Sequence, residues 1–229
     1  MNIIASGHGF SCLVQESGSV GCWGMGLSGT TLGGWKDDIQ QVDLGEGRTA
    51  KAVAASISWG DSSICVILDN DSVKCSTGKR DRTYVFDGFT RITILWDDDF
   101  DHVDFGSGRT AKAIASGASH NCSILDDSTV KCWGDNDYGQ LGLTNITRFQ
   151  PHGEGESIQL DQSLPTVDLG TNRTAKALAL GLRHSCALLD DDSVRCWGSN
   201  DRGQLGTGDT FDRGQPTDLG VGQSALAIE

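Results

Sequence analysis

Eight cysteines fall into four pairs with nine residues between the partners: Cys12/Cys22, Cys65/Cys75, Cys122/Cys132 and Cys186/Cys196. Such pairs could ligate a metal, close disulfides or lie reduced in a core. Zinc sites use pairs about two to four residues apart, so a nine-residue gap repeated four times does not match. Trp-Gly follows the second cysteine at Trp23, Trp133 and Trp197, and Ser76-Thr77 replaces it in the second copy. The first cysteines recur at a period on the order of 50–60 residues, close to the length of a propeller blade.

Other chemistry-bearing residues are weaker candidates. His8, His120 and His184 precede the first cysteine in three copies. A catalytic histidine would stand once, beside a nucleophile and an orienting acid. Repetition argues for a structural hydrogen bond near a turn. Aspartates at 69–71, 126–127 and 190–192 fall midway between paired cysteines, where solvated turns are expected. Asp135-Asn136-Asp137-Tyr138-Gly139 faintly resembles a calcium loop but lacks its downstream glutamate. Asp97-Asp98-Asp99 with Asp101 reads as a solvated acidic loop, with an ion or partner contact as the alternative. Sequons start at Asn70, Asn121, Asn145 and Asn172, and Asn145 is the most plausible acceptor because it lies on a variable loop. No Gly-rich phosphate loop, nucleophile elbow or His-metal motif is present. We expect no enzyme, no cofactor and no metal.

The elements that position these residues read as short strands. In the fourth copy, Ala177-Leu178-Ala179-Leu180 is an apolar run ended by Gly181. "SCALL" follows, then the turn-forming Asp190-Asp191-Asp192-Ser193, then "SVRCW". Strands joined by so short a loop pair antiparallel, which brings Cys186 and Cys196 near opposite each other. Opposed Cα atoms lie roughly 4.5–5.5 Å apart, within disulfide range, so a cross-strand bridge is the favoured pairing and reduced core cysteines the alternative. A fourth strand comes from "QQVDLG", "DHVDFG", "PTVDLG" and "QPTDLG". The variable lengths Arg80–Asp101 and Asn145–Ser163 precede it in copies two and three. "CALL" and "ALAL" are apolar on both faces, as in a sheet buried between neighbours.

The segments "ALALGLRHSCALLDDDSVRCWGSNDRGQLGTGDT" and "AIASGASHNCSILDDSTVKCWGDNDYGQLGLTN" resemble the repeats of the regulator of chromosome condensation family. The shared pattern is Gly-x-x-His-x-x-x-Leu, an acidic turn, Val-x-x-Trp-Gly, then Asn-x-x-Gly-Gln-Leu-Gly. Copy one keeps Trp23-Gly24 but loses Gly-Gln-Leu-Gly, and copy two keeps little beyond its cysteines and Val73. The resemblance implies an all-β fold, a β-propeller usually of seven blades. About four are present here, at approximately 2–45, 46–106, 107–170 and 171–220, with 221–229 opening the next strand. The whole of 1–229 is then one repeat domain, an incomplete propeller whose open end would expose an apolar face.

Bulk properties narrow the function. A net charge of −13 opposes the phosphate backbone, so nucleic-acid binding is not expected. No apolar stretch approaches the ~20 residues of a membrane span. The amino terminus shows no signal peptide, and the chain reads as a mature piece or a fragment. Four bridges would imply an oxidising compartment, extracellular, cell-surface or periplasmic. The expectation is a non-enzymatic recognition module for a protein partner, binding through rim loops at 25–40, 76–100 and 142–164, with further blades or self-association possible in principle. Trp35, Trp59, Phe89 and Trp96 are the candidate anchors there. The family resemblance adds two alternatives, guanine nucleotide exchange on a small GTPase and inhibition of a secreted enzyme such as a β-lactamase.

Overall fold

The computed structural model describes residues 3–7, 9–24, 39–56, 64–76, 100–143 and 164–219. The described residues form strands and turns without a helix, so none supplies a helix long and apolar enough to cross a membrane. The chain divides into two compact units, Met1–His102 and Val103–Glu229.

In the first unit, β1 (Ile4–Ser6), β2 (Phe10–Val14), β3 (Val20–Gly24) and β4 (Gln40–Val42) form one antiparallel sheet in chain order. β5 (Ala50–Ala55), β6 (Ile64–Leu68), β7 (Val73–Ser76) and β8 (Phe100–His102) form a second. Every residue of β6 is buried. Phe10, Cys12, Val20 and Cys22 on one sheet share a core with Val53, Ala55, Ile64, Val66 and Leu68 on the other. The continuous apolar run "ICVIL" is thus explained by burial on both faces.

In the second unit, β9 (Ala111–Ser116), β10 (His120–Leu125) and β11 (Val130–Gly134) make a three-stranded sheet. β12 (Ala175–Leu180), β13 (His184–Leu189), β14 (Val194–Gly198) and β15 (Arg213–Asp218) make a four-stranded one. The fourth strand expected at "PTVDLG" is reduced to a single bridge, Lys131 to Thr166. Pro165 has no N–H to extend that ladder. In the next repeat Pro216 is tolerated because β15 is the outer strand of its sheet.

The ladders place Cys12 opposite Cys22, Cys65 opposite Cys75, Cys122 opposite Cys132 and Cys186 opposite Cys196. Each pair is joined as a disulfide with its Cα atoms 4.0–4.1 Å apart. The turns between them use Asp71, Ser128 and Asp192 in the left-handed region, each with φ 65°. Ser and Thr at the following strand entry close an Asx-type turn: Asp191 Oδ1 accepts the Ser193 amide at 3.2 Å and its hydroxyl at 2.6 Å.

Candidate functional site

The two ends of each repeat differ in chemistry. At the hairpin end, the acidic turns are tied to the Arg-Thr-Ala-Lys segment that enters the same sheet. Arg48 pairs with Asp69 at 3.2 Å and Lys51 with Asp71 at 2.6 Å. Arg109 reaches Asp126 and Asp127, both at 2.9 Å. Arg173 reaches Asp190 at 3.3 Å and Asp191 at 2.6 Å, and Lys176 reaches Asp192 at 2.6 Å. Hydrogen bonds from Ser193, aided by Arg173, hold the Asp191 carboxyl below the usual carboxylate range. The aspartates are therefore members of an intra-repeat ion-pair pattern, beyond the plain solvated turns that composition suggests. Among the described residues no cluster of His, Cys, Asp or Glu has metal-binding geometry.

At the opposite end lie the β12–β13 turn and the loops that leave β11 and β14. The second unit builds this end in detail. Asn136 Oδ1 accepts the Leu141 amide at 2.9 Å, and Gln140 Oε1 accepts the Tyr138 amide at 2.9 Å. The fragment that resembled a calcium loop is thereby folded back on itself. Its Gly-Gln-Leu-Gly segment is a clasp that reaches the next sheet. The Gln140 carbonyl accepts the Trp197 indole N–H at 2.8 Å and the Ser185 hydroxyl at 2.9 Å. Gly139 has φ 78°, and a Cβ there would run into the Gly214 backbone. Leu141 is buried between the sheets with Cys122, Cys132, Ala187, Leu189 and Trp197.

The same network contains His120. Ser185 spends its one hydroxyl proton on Gln140, so its oxygen accepts from His120 Nε2 at 2.9 Å. Nδ1 then carries the lone pair, buried and without a hydrogen-bond partner. Burial, then repulsion from His184, pushes the His120 pKa from 6.5 down to about 3. His120 and His184 pair across their ladders with Gly134 and Gly198, and Phe10 pairs likewise with Gly24. Phe10 is thus the equivalent of these histidines in the first repeat. His8, named for that role from sequence, lies outside the described residues. A Cβ at Gly7, Gly117 or Gly181 would run into the ring of Phe10, His120 or His184 respectively, which accounts for Gly-x-x-His.

The loop leaving β14 is knit by one buried residue, Asn200. Its side chain holds the Leu205 amide and the Asp209 carbonyl at 2.9 Å each, and its own amide donates to Asp212 at 2.7 Å. Asp209 accepts the Phe211 amide at 3.0 Å and Arg213 at 2.6 Å. This fixed loop leaves Phe211 70% exposed, and the β12–β13 turn leaves Leu182 52% exposed. Beside Leu182, Arg183 donates to the Tyr138 hydroxyl at 2.8 Å with its guanidinium 4.8 Å from the ring centroid. Leu182, Arg183 and Phe211 had no periodic signal in the sequence; only their place between repeat landmarks could have drawn notice. Trp35, Trp59, Phe89 and Trp96 lie outside the described residues, as do Asn145 and the acidic run Asp97–Asp99.

Comparison with known proteins fits this geometry. Models of the regulator of chromosome condensation (RCC1) repeat match residues 111–140, 175–204 and 191–225. The chain is similar to the ultraviolet-B receptor UVR8 of Arabidopsis thaliana, 26% identical over 94% of this chain and 45% of that protein. It is 24% identical to the E3 ubiquitin-protein ligase HERC2 of Homo sapiens, over 90% of this chain and 4% of the ligase. Among solved structures, Kap60 bound to yeast RCC1 (Prp20) matches with TM-score 0.69 and 17% identity, covering 95% of this chain and 48% of that one. Human WBSCR16 matches with TM-score 0.68 and 18% identity, covering 98% and 54%. The chain spans less than half the length of UVR8 and a small fraction of HERC2. It therefore carries regulator of chromosome condensation repeats, and its all-β sheets are blades of that family's β-propeller fold.

Proposed function

We propose that this chain is a non-enzymatic recognition module that binds a protein partner through the loop-bearing end of its blades, in an oxidising compartment outside the cytosol. Repeats of this kind support a protein-interaction or regulatory role. The observation that carries the reading is the contrast between the two ends of the second unit. One end has its charges paired within each blade. The other presents Leu182, the Arg183–Tyr138 pair and Phe211 on a loop already fixed by Asn200. Exposed aromatic and arginine side chains on a preorganised loop are what interface hot spots are made of. The four buried disulfides support the compartment.

The test is crosslinking capture with the purified chain in extracts of the secretory or extracellular fraction, beside the double variant Leu182→Asp/Phe211→Asp. A protein retained by the native chain and lost by the variant supports the reading. Retention unaffected by the variant, or of a cytosolic GTPase in its place, overturns it. A secreted β-lactamase among the retained proteins would name the partner class within the same reading.

A further inference from the structure

The seam between the third and fourth blades has two halves. The third blade supplies the clasp, Gly139-Gln140-Leu141; the fourth supplies the receiver, Ser185 and Trp197, which are Cα partners across β13 and β14. Each half recurs once more in the chain. The fourth blade carries a second clasp with the same internal bonds, the Leu205 amide to Asn200 and the Arg202 amide to Gln204, each 2.9 Å. The first blade carries a second receiver, Ser11 and Trp23, which are Cα partners across β2 and β3.

Clasp and receiver also disappear together. The first copy has no Gly-Gln-Leu-Gly, and the second has Ile64 and Ser76 where Ser and Trp would stand. The third copy has the clasp, and the fourth has both receiver residues. The third copy itself, which follows a copy without a clasp, keeps Trp133 but has Asn121 in place of serine.

Both extra halves are open among the described residues. Ile4, paired with Leu13, is 58% exposed, whereas its ladder equivalents Val53 and Ile114 are 0% and 3% exposed. Trp23 is half-buried while Trp133 and Trp197 are buried. On the clasp side, a Cβ at Gly203 finds Asp209 O no nearer than 3.9 Å, where Gly139 is blocked by the neighbouring blade.

The geometry points to a head-to-tail pairing of two copies of this chain, the fourth-blade clasp of one seating on the first blade of the other. The Gln204 carbonyl takes the Trp23 indole and the Ser11 hydroxyl, as Gln140 takes Trp197 and Ser185. Ile4 is covered as Val53 and Ile114 are. The contact joins two different surfaces, so two copies close with two identical seams. Two copies also supply about as much chain as the one RCC1 propeller of which this chain matches 48%.

Sedimentation velocity on the full chain over a range of concentrations tests the pairing. The native chain should reach twice the monomer mass. Ile4→Glu, on an exposed residue, and Gly203→Asn, which keeps a residue tolerant of positive φ, should each be monomeric with unchanged near-ultraviolet circular dichroism. Mixed together, the two variants should recover a dimer with one intact seam. A native chain that stays monomeric at every concentration, a dimer indifferent to both variants, or a mixture that never recovers overturns the proposal.

Discussion

The main-chain carbonyl of Gln140 accepts the indole N–H of Trp197 at 2.8 Å, joining one blade to the next through a residue whose side chain is committed elsewhere. Trp197→Phe removes that donor and keeps most of the buried ring. Because Ser185 still bonds the carbonyl, the expected loss is about 1 kcal/mol. Trp197→Ala, which also opens a cavity, should cost about 3–5 kcal/mol. Chemical denaturation of both variants checks the order; equal losses would remove the hydrogen bond from the account.

The clasp needs glycine at 139 for two separable reasons, positive φ and the nearness of Gly214. Gly208 has φ 81° and nothing within 4 Å of its virtual Cβ, so it isolates the first reason. Gly208→Ala should cost about 1–2 kcal/mol. Gly139→Ala should cost a further ~1–3 kcal/mol for overpacking against backbone. Equal costs would mean that the clasp does not press on the fourth blade.

Ser128 holds φ 65° where Asp71 and Asp192 stand in the sister turns. Serine gains less than Asp or Asn from that conformation, and glycine pays no steric cost there. Ser128→Gly should raise stability by about 0.5–1 kcal/mol, read as a shift in denaturation midpoint. A lowered midpoint would show the hydroxyl's bond to Lys112 to matter more than the backbone.

His120 sets a pH dependence. Its folded pKa is about 3 against an ordinary 6.5, through burial first and His184 second. The unfolded chain takes up the proton near 6.5 while the folded one stays neutral. Its contribution to stability is therefore complete above pH 6.5 and fades as pH falls toward 3, by up to about 1.4 kcal/mol per pH unit. His120→Gln can still donate to Ser185, and it should flatten this slope between pH 6.5 and 4. An unchanged slope would assign the acid sensitivity to other groups.

Much of the blade was legible from residues close in sequence. The Cys186/Cys196 pairing follows from a turn centred between two apolar runs, because a hairpin's register is set locally. The expected fourth strand failed where a neighbour intervened, at Pro165. Matching by residue type placed His8 in the histidine series, whereas ladder register places Phe10 there. The clasp was invisible for a different reason. Gly139-Gln140-Leu141-Gly142 reads as a turn motif within one repeat, and only the adjoining blade shows what the Gln140 carbonyl and the bare Gly139 are for. The Arg173–Asp190 and Lys176–Asp192 pairs were likewise hidden, since each joins segments separated by two strands.

The reading of this chain as a set of stapled blades working outside the cytosol is tested most directly by counting thiols. The protein would be taken from its own cells under alkylating, non-reducing conditions and its mass and disulfide-linked peptides measured. We expect no free thiol among the eight cysteines and linked peptides that join Cys12 to Cys22, Cys65 to Cys75, Cys122 to Cys132 and Cys186 to Cys196. Eight alkylated cysteines in a folded protein would contradict it.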